Sequence, residues 1–326
     1  MRFSTFALAV CFSFMATLSH AAGLKLFEVP ADAEGAALQA AMWSPCAVPS
    51  GEVQLGRATL PGVRDCPIEG DKLPLIVVSH GYGGSYLGHH DTAETLADAG
   101  FVVVALNHPD DTSTSSEATH GRPALTNRPT DIKRLIDFML GASPDAARID
   151  PQRIGFFGFS RGGYTGLVVG GANPDFLQLR PRCQDQADTA CRSLDPSSLP
   201  TQPLTHDPRI KVLVIADPLS VVFPTADSLK DIRVPLQLWS SERGGDGVFP
   251  QDVAAVASHL PVKADFHLVP NSGHFAFLAP CSAGLAKARP ELCIDAPDFD
   301  RVAFHRDLDA QALAFFREHL AGTVQH

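Results

Sequence analysis

Two glycine-rich segments and one histidine carry the residue types that nucleophilic acyl transfer requires. Gly158-Phe159-Ser160-Arg161-Gly162 is a G-x-S-x-G run. It follows an apolar stretch ending RIGFF and opens a helix-like segment, so flanking glycines would let a sharp turn lift the Ser160 hydroxyl clear of its neighbours. A serine hydroxyl is a weak nucleophile and needs a base beside it. Upstream, Ser79-His80-Gly81-Tyr82-Gly83-Gly84 follows a second apolar run. Acyl transfer needs N–H groups aimed at the developing oxyanion, and we assign those of Tyr82 and Arg161. The alternative, a phosphate-binding loop, lacks both a Lys in P-loop spacing and the dinucleotide fingerprint. Of the 13 histidines, His274 stands out, because Asn271-Ser272-Gly273-His274 follows the last strand-like run and a loop there can return the imidazole to Ser160. Two acids suit the chain order Ser, acid, His: Asp217 in VIADP and Asp246 in GGDGVFP, each just after a strand-like run. Glu242 is a third. His89-His90-Asp91 has metal-binding residue types, but adjacent histidines on a helix point to different faces, and no Cys/His cluster has ligand spacing.

The elements that must position these residues are legible as period and punctuation. Leu73 to Ser79 and Phe101 to Leu106 are β-branched runs without a polar face, as expected of strands covered on both sides. Thr92 to Ala99 fits a helix between them. Thr130 to Leu140 opens on a capping Thr and puts Ile132, Leu135, Ile136 and Met139 on one face. A strand at Arg153 to Phe157, a helix from about Arg161, and strands at Ile210 to Ala216, Leu236 to Trp239 and Ala264 to Val269 follow. A last helix carries Phe304, Leu308, Ala312 and Phe315 on its buried stripe. Strands alternating with helices predict an α/β fold with a mostly parallel central sheet and helices on both faces, in a single domain over 22–326. Residues 173–208 interrupt the rhythm. They are rich in Pro, Asp, Gln and Ser, and a long insertion of this kind fits a functional loop such as a cap.

The first residues stand apart from the fold. Arg2, the apolar run Phe3 to Leu18 and the small residues of Ser19-His20-Ala21 predict a signal peptide over 1–21, cut after Ala21, and hence an exported, periplasmic or secreted protein with no stable membrane anchor after cleavage. LAVC at Leu8 to Cys11 is a poor lipoprotein box, since Val10 precedes the Cys and the apolar run continues beyond it. Of seven cysteines six then remain, and their proximity suggests the disulfides Cys46–Cys66, Cys183–Cys191 and Cys281–Cys293. With 45% hydrophobic and 19% charged residues the composition is globular, which excludes a disordered chain. A net charge of −10 with no Lys/Arg run argues against nucleic acid or an anionic membrane as the main partner and leaves a small molecule as the natural one.

The sequence resembles the α/β-hydrolase superfamily over almost all of the chain beyond the leader. The resemblance rests on SHGYGG at 79–84, AGFVVVALNHPDD at 99–111, GFSRGG at 158–163 and GHFAFL at 273–278. Within the superfamily it is similar to the dienelactone-hydrolase-like and platelet-activating-factor-acetylhydrolase-like esterases, and it departs from them in the 173–208 insertion. The resemblance implies a serine hydrolase acting on small-molecule carboxylic esters, short-chain esters or lactones among them, without a cofactor or metal, through Ser160, His274 and an Asp. It also weighs the acids. Asp217 stands where acetylhydrolase-like relatives place theirs, whereas Asp246 fits the commoner D-x-x-x-P pattern and the GHFAFL likeness to the dienelactone-hydrolase-like branch, so Asp246 is the favoured acid and Asp217 the alternative. An amidase or peptidase with the same triad, and a non-catalytic binding protein on the same fold, are the rival readings.

Overall fold

Strands buried on both faces need apolar residues at consecutive positions, and the central strands have them. The computed structural model describes residues 21–56, 58–112, 122–182, 200 and 203–321. The expected leader up to residue 20, the expected Cys183–Cys191 disulfide and residues 183–199, 201 and 202 of the 173–208 insertion lie outside the described residues. Ten strands form one sheet: β1 (Ala21–Val29), β2 (Leu38–Cys46), β3 (Gly51–Leu55), β4 (Ala58–Arg64), β5 (Leu73–Ser79), β6 (Val102–Leu106), β7 (Ile149–Phe159), β8 (Ile210–Ala216), β9 (Leu236–Ser241) and β10 (Asp265–Val269). Their order is β10-β9-β8-β7-β5-β6-β2-β1-β4-β3. Strands β5 to β10 pair in parallel, and β2 runs antiparallel to both β1 and β6.

Alternation along each central strand separates two cores. Leu75, Val77, Phe156, Leu213 and Leu238 face one, with Leu135 and Ile136 of α2 (Arg122–Leu140), Leu167 and Val168 of α3 (Arg161–Val169), and Val253 of the helix Pro250–His259. Ile76, Val78, Phe157, Val214 and Trp239 face the other, with Leu96 of α1 (His90–Asp98) and with Leu308, Ala312 and Phe316 of the long helix Arg301–His319. In order, the helices after α3 are α4 (Ala226–Leu229), α5 (Pro250–His259), α6 (Ala283–Ala288), α7 (Pro290–Cys293) and α8 (Arg301–His319).

Two expectations are corrected and one region is added. Strands β1 to β4 lie before Leu73, where no element was named; in β2 the Ala- and Met-containing run is buried without a period, because neighbours cover both of its faces. Helix α2 starts at Arg122 rather than at Thr130. Pro129 lies inside it, and the helix continues across because Leu125 and Arg128 bury on the same side as Ile132 and Leu135. On α8 the buried stripe runs through Leu308, Ala312 and Phe316, with Phe304 and Phe315 only partly covered.

Candidate active site

At the carboxyl end of β7 the chain turns into α3 with Ser160 at φ +57° and ψ −117°, a conformation costly for a residue with a side chain. Hydrogen bonds fix it there. The Ser160 N–H donates to the Ala216 carbonyl at 3.0 Å, and its carbonyl accepts from Tyr164 at 3.0 Å and Leu219 at 3.1 Å. Two glycines make the turn possible: a Cβ on Gly158 would lie 2.3 Å from the Gly162 oxygen, and one on Gly162 only 1.9 Å from the Ser79 oxygen. Strand, helix start and the loop after β5 therefore meet at backbone distance.

Ser160, His274 and Asp217 form one buried hydrogen-bonded chain. His274 opens a 3-10 turn, His274–Phe277, after β10. Its Nε2 is 3.0 Å from Ser160 Oγ and its Nδ1 is 2.7 Å from Asp217 Oδ2. A carboxylate can only accept, so Nδ1 carries the proton and Nε2 is left to accept from the serine hydroxyl. The ring lies 4.6 Å from that of Phe159, centre to centre, and the His274 N–H donates to the Gly244 carbonyl at 2.8 Å. Asp217 follows β8 directly. Its Oδ1 accepts the Ser241 N–H at 2.8 Å and its Oδ2 accepts the Ser241 hydroxyl at 2.7 Å. Ser241 Oγ in turn accepts the Gly244 N–H at 3.1 Å, tying the acid to the loop that holds His274.

The structure thus pairs His274 with Asp217 and not with the favoured Asp246. Asp246 sits at the apex of a tight turn closed by hydrogen bonds between Gly245 and Val248, exposed and with φ +48°. Its loop reaches His274 only through the backbone, at Gly244. Glu242 is exposed and accepts the Asn271 N–H at 2.7 Å.

The loop after β5 lies over this chain. A Cβ on Gly81 would approach the Ser160 Cβ to 3.2 Å, so the loop is in contact with the serine. The Arg161 guanidinium stacks on the Tyr82 ring, 4.3 Å from its centre, and donates to Asp111 Oδ2 at 3.1 Å. Asp111 is fully buried; it also accepts from Arg128 at 2.6 Å and, more loosely, from the Gly83 N–H at 3.4 Å. Arg128, equally buried, donates onward to Thr165 and to the His80 carbonyl. Two histidines complete this base. His80 Nε2 accepts the His108 N–H at 3.2 Å, so its Nδ1–H donates to the Gly81 carbonyl at 2.7 Å. His108 bridges Ser79 Oγ at 2.9 Å and Asp131 Oδ2 at 2.9 Å. Burial, seconded by the Arg128 charge, pushes His80 down to about 3 and His108 well below the usual histidine range. Burial likewise raises Asp131 to about 7. Sequence reasoning passed over Arg128, Asp131 and Ser241; Ser241 ends the strand LQLWSS, whereas Arg128 and Asp131 stand among other polar residues of α2 and carried no signal of their own.

His89, His90 and Asp91 do not converge on one point. His89 is buried against Phe157 and Phe159, His90 pairs with Glu94, and Asp91 pairs with His305. Among the described residues no group of three or more His, Cys, Asp or Glu side chains is arranged to hold a metal ion. A cleft of about 180 Å³ opens beside His274, lined by Gly245, Phe275, Ile294 and Asp295. Ile294 and Asp295 directly follow the segment closed by the disulfide Cys281–Cys293, and a second disulfide, Cys46–Cys66, ties the end of β2 to the chain after β4.

A mostly parallel sheet in this strand order, with a serine on a strained turn between its central strand and the following helix, is the arrangement of the α/β-hydrolase fold. Residues 41–137 match the family model of platelet-activating factor acetylhydrolase, isoform II, a span that includes the loop after β5 and Asp111 and ends before Ser160. The chain is 33% identical over 108 residues to a protein of Nocardia uniformis subsp. tsuyamanensis named "Putative esterase NocK", covering 32% of this chain and 30% of that relative. It thus spans less than a third of the length of the curated relative it matches. Among solved structures, a ferulic acid esterase from Streptomyces cinnamoneus superposes with a TM-score of 0.63 at 20% identity, over 94% of this chain and 92% of that one, a likeness of fold. Together these matches give the chain the α/β-hydrolase fold and a local similarity to the acetylhydrolase family over residues 41–137.

Proposed function

We propose that the chain is an exported serine esterase that cleaves small-molecule carboxylic esters through an acyl-enzyme. The observation that carries this reading is the continuous hydrogen-bond chain from Ser160 Oγ through His274 to Asp217, at 3.0 and 2.7 Å. Ser160 Oγ attacks the ester carbonyl and passes its proton to His274 Nε2, while the Asp217 carboxylate holds the tautomer and stabilises the imidazolium. The N–H groups of Tyr82 and Arg161 receive the oxyanion, with the positive end of α3 behind them. His274 then returns its proton to the leaving alkoxide. Water, deprotonated by the same imidazole, releases the acid and restores Ser160.

Export is supported by the leader pattern over 1–21 and by the disulfides Cys46–Cys66 and Cys281–Cys293, which suit an oxidising compartment. Among the described residues no helix is long and apolar enough to cross a membrane. The test is hydrolysis of p-nitrophenyl acetate beside that of p-nitroacetanilide, by the native protein and by Ser160→Ala. The ester should be turned over, the anilide far more slowly, and the Ser160→Ala protein should fold and be inactive. Near-native ester turnover without the hydroxyl would refute the serine mechanism, and comparable rates on the anilide would favour an amidase.

A further inference from the structure

Behind the turn that carries His274, helices α1 and α8 enclose a second set of titratable side chains that the proposed chemistry does not use. His305 of α8 is buried. Its Nδ1 is 2.7 Å from Asp91 Oδ2 on α1, and its Nε2 is 2.9 Å from the carbonyl oxygen of Ala276. A carboxylate and a carbonyl are both pure acceptors, whereas a neutral imidazole has only one N–H to give. Both contacts are hydrogen bonds only when His305 is an imidazolium. Ala276 belongs to the turn His274–Phe277, two residues from the base, and its own N–H closes that turn onto the Gly273 carbonyl at 3.1 Å.

We propose that His305 is a positioning residue for ester hydrolysis: as a cation held between Asp91 and the Ala276 carbonyl, it fixes the turn that presents His274 to Ser160. The proposal rests on the serine-esterase reading above. If His305 loses a proton, Asp91 keeps the one on Nδ1, and the bare Nε2 lone pair then faces the Ala276 oxygen. Attraction becomes repulsion, and the turn is free to carry His274 away from its 3.0 Å contact with Ser160.

The surroundings favour the cation. Burial alone would lower His305, but the hydrogen bond and attraction of Asp91 outweigh it and raise His305 above its ordinary value. Asp309, one turn along α8, adds attraction when ionised; burial and the neighbouring Asp91 raise it to about 6, against the hydrogen bond it accepts from Thr92 at 2.6 Å. From α1, His89 is pushed down to about 4 by burial and so contributes no charge near neutrality. His90 is a competing cation, although Glu94, 3.1 Å away, compensates it. Because the folded value is raised above the ordinary one, the clamp holds below it and is lost as pH rises through it.

The experiment is the pH dependence of kcat and KM on an uncharged ester, from acid to pH 10, for the native protein, Asp91→Asn and His305→Gln. The native kcat should fall on an alkaline limb while KM stays level. Asp91→Asn should move that limb down by about one pH unit or more, since the anion that sustains the cation is gone. His305→Gln should lower kcat and abolish the limb, because an amide N–H facing Ala276 does not titrate. A purely structural role would reduce the active fraction and leave the limb where it was. An absent native limb, or one unmoved in Asp91→Asn, overturns the proposal without touching the serine mechanism, whose own test is Ser160→Ala. If neither variant folds, nitrogen-15 spectra of the native protein decide: both ring nitrogens of His305 must be protonated at about pH 6, below the ordinary histidine value, and one bare nitrogen there overturns the clamp.

Discussion

Asparagine at position 217 keeps the shape of the side chain and removes its charge, and the surrounding hydrogen bonds dictate how it must sit. The Ser241 N–H, 2.8 Å from Oδ1, is backbone and cannot turn away, so the amide oxygen has to take the Oδ1 place. The amide NH2 then occupies the Oδ2 place, where the Ser241 hydroxyl can rotate to accept from it. His274 Nδ1, 2.7 Å away, must accept as well, which moves the ring proton to Nε2. Nε2 then meets the Ser160 hydroxyl with a proton of its own and cannot take another. The same wrong tautomer in the chymotrypsin template lowers kcat about 10⁴-fold. That is about 5.5 kcal/mol of barrier at 1.36 kcal/mol per decade, and it is the loss expected for Asp217→Asn. Since the hydrogen bonds to Ser241 survive, stability should fall by only about 1–3 kcal/mol, the cost of replacing a buried charged acceptor. Asp246→Asn is the matched control. It is exposed at a positive φ that Asn tolerates, so its turnover should stay within about twofold of native. The assay is kcat and KM on p-nitrophenyl acetate, with a melting curve for each variant. Retention of more than about a tenth of native kcat in Asp217→Asn, or a large loss in Asp246→Asn at unchanged Tm, would refute the assignment of the acid.

Two further outcomes follow from packing and burial. Gly162→Ala would place a methyl 1.9 Å from the Ser79 carbonyl oxygen, and since both sides of that contact are backbone, the turn and the loop after β5 must separate; a cost of about 1–3 kcal/mol or more and a sharp drop in kcat are expected, and a native-like Tm and kcat would show that the approach is not so close. His89 is buried against Phe157 and Phe159, and burial pushes it down to about 4. The unfolded chain takes up that proton below about 6.5 and the folded chain does not until about 4, so stability is lost as pH falls through this window, by about 2 kcal/mol at pH 5. His89→Leu should therefore raise Tm at pH 5 well beyond any change at pH 8, and equal shifts at the two pH values would contradict the assigned burial of a neutral imidazole.

Much of this protein was legible in one dimension. The central strands declared themselves because a strand covered on both faces must be apolar at consecutive positions, and β5 and β8 run over the expected residues. The turn at Ser160 was legible because a strained turn pressed against two backbones demands glycine at fixed offsets. The approach of His274 to Ser160 was legible from its place after the last strand. The N-terminal strands were hidden because β2 owes its burial to neighbours distant in sequence rather than to a period of its own. Helix α2 crosses Pro129 for a similar reason: tertiary burial of Leu125 and Arg128 outweighs a local stop signal.

Which of Asp217 and Asp246 lies against His274 could be read only in three dimensions. Both follow a strand, both adopt positive φ, and local pattern favoured Asp246. The adjacency of β8 and β9 puts the Ser241 N–H and hydroxyl where they can desolvate and hold one carboxylate beneath His274, while the turn that carries Asp246 sends its side chain to solvent and contributes only the Gly244 carbonyl. The sequence could name candidates, because turn chemistry is local. Hydrogen-bond partners for a buried charge come from other strands, and only the packed sheet decides which candidate receives them.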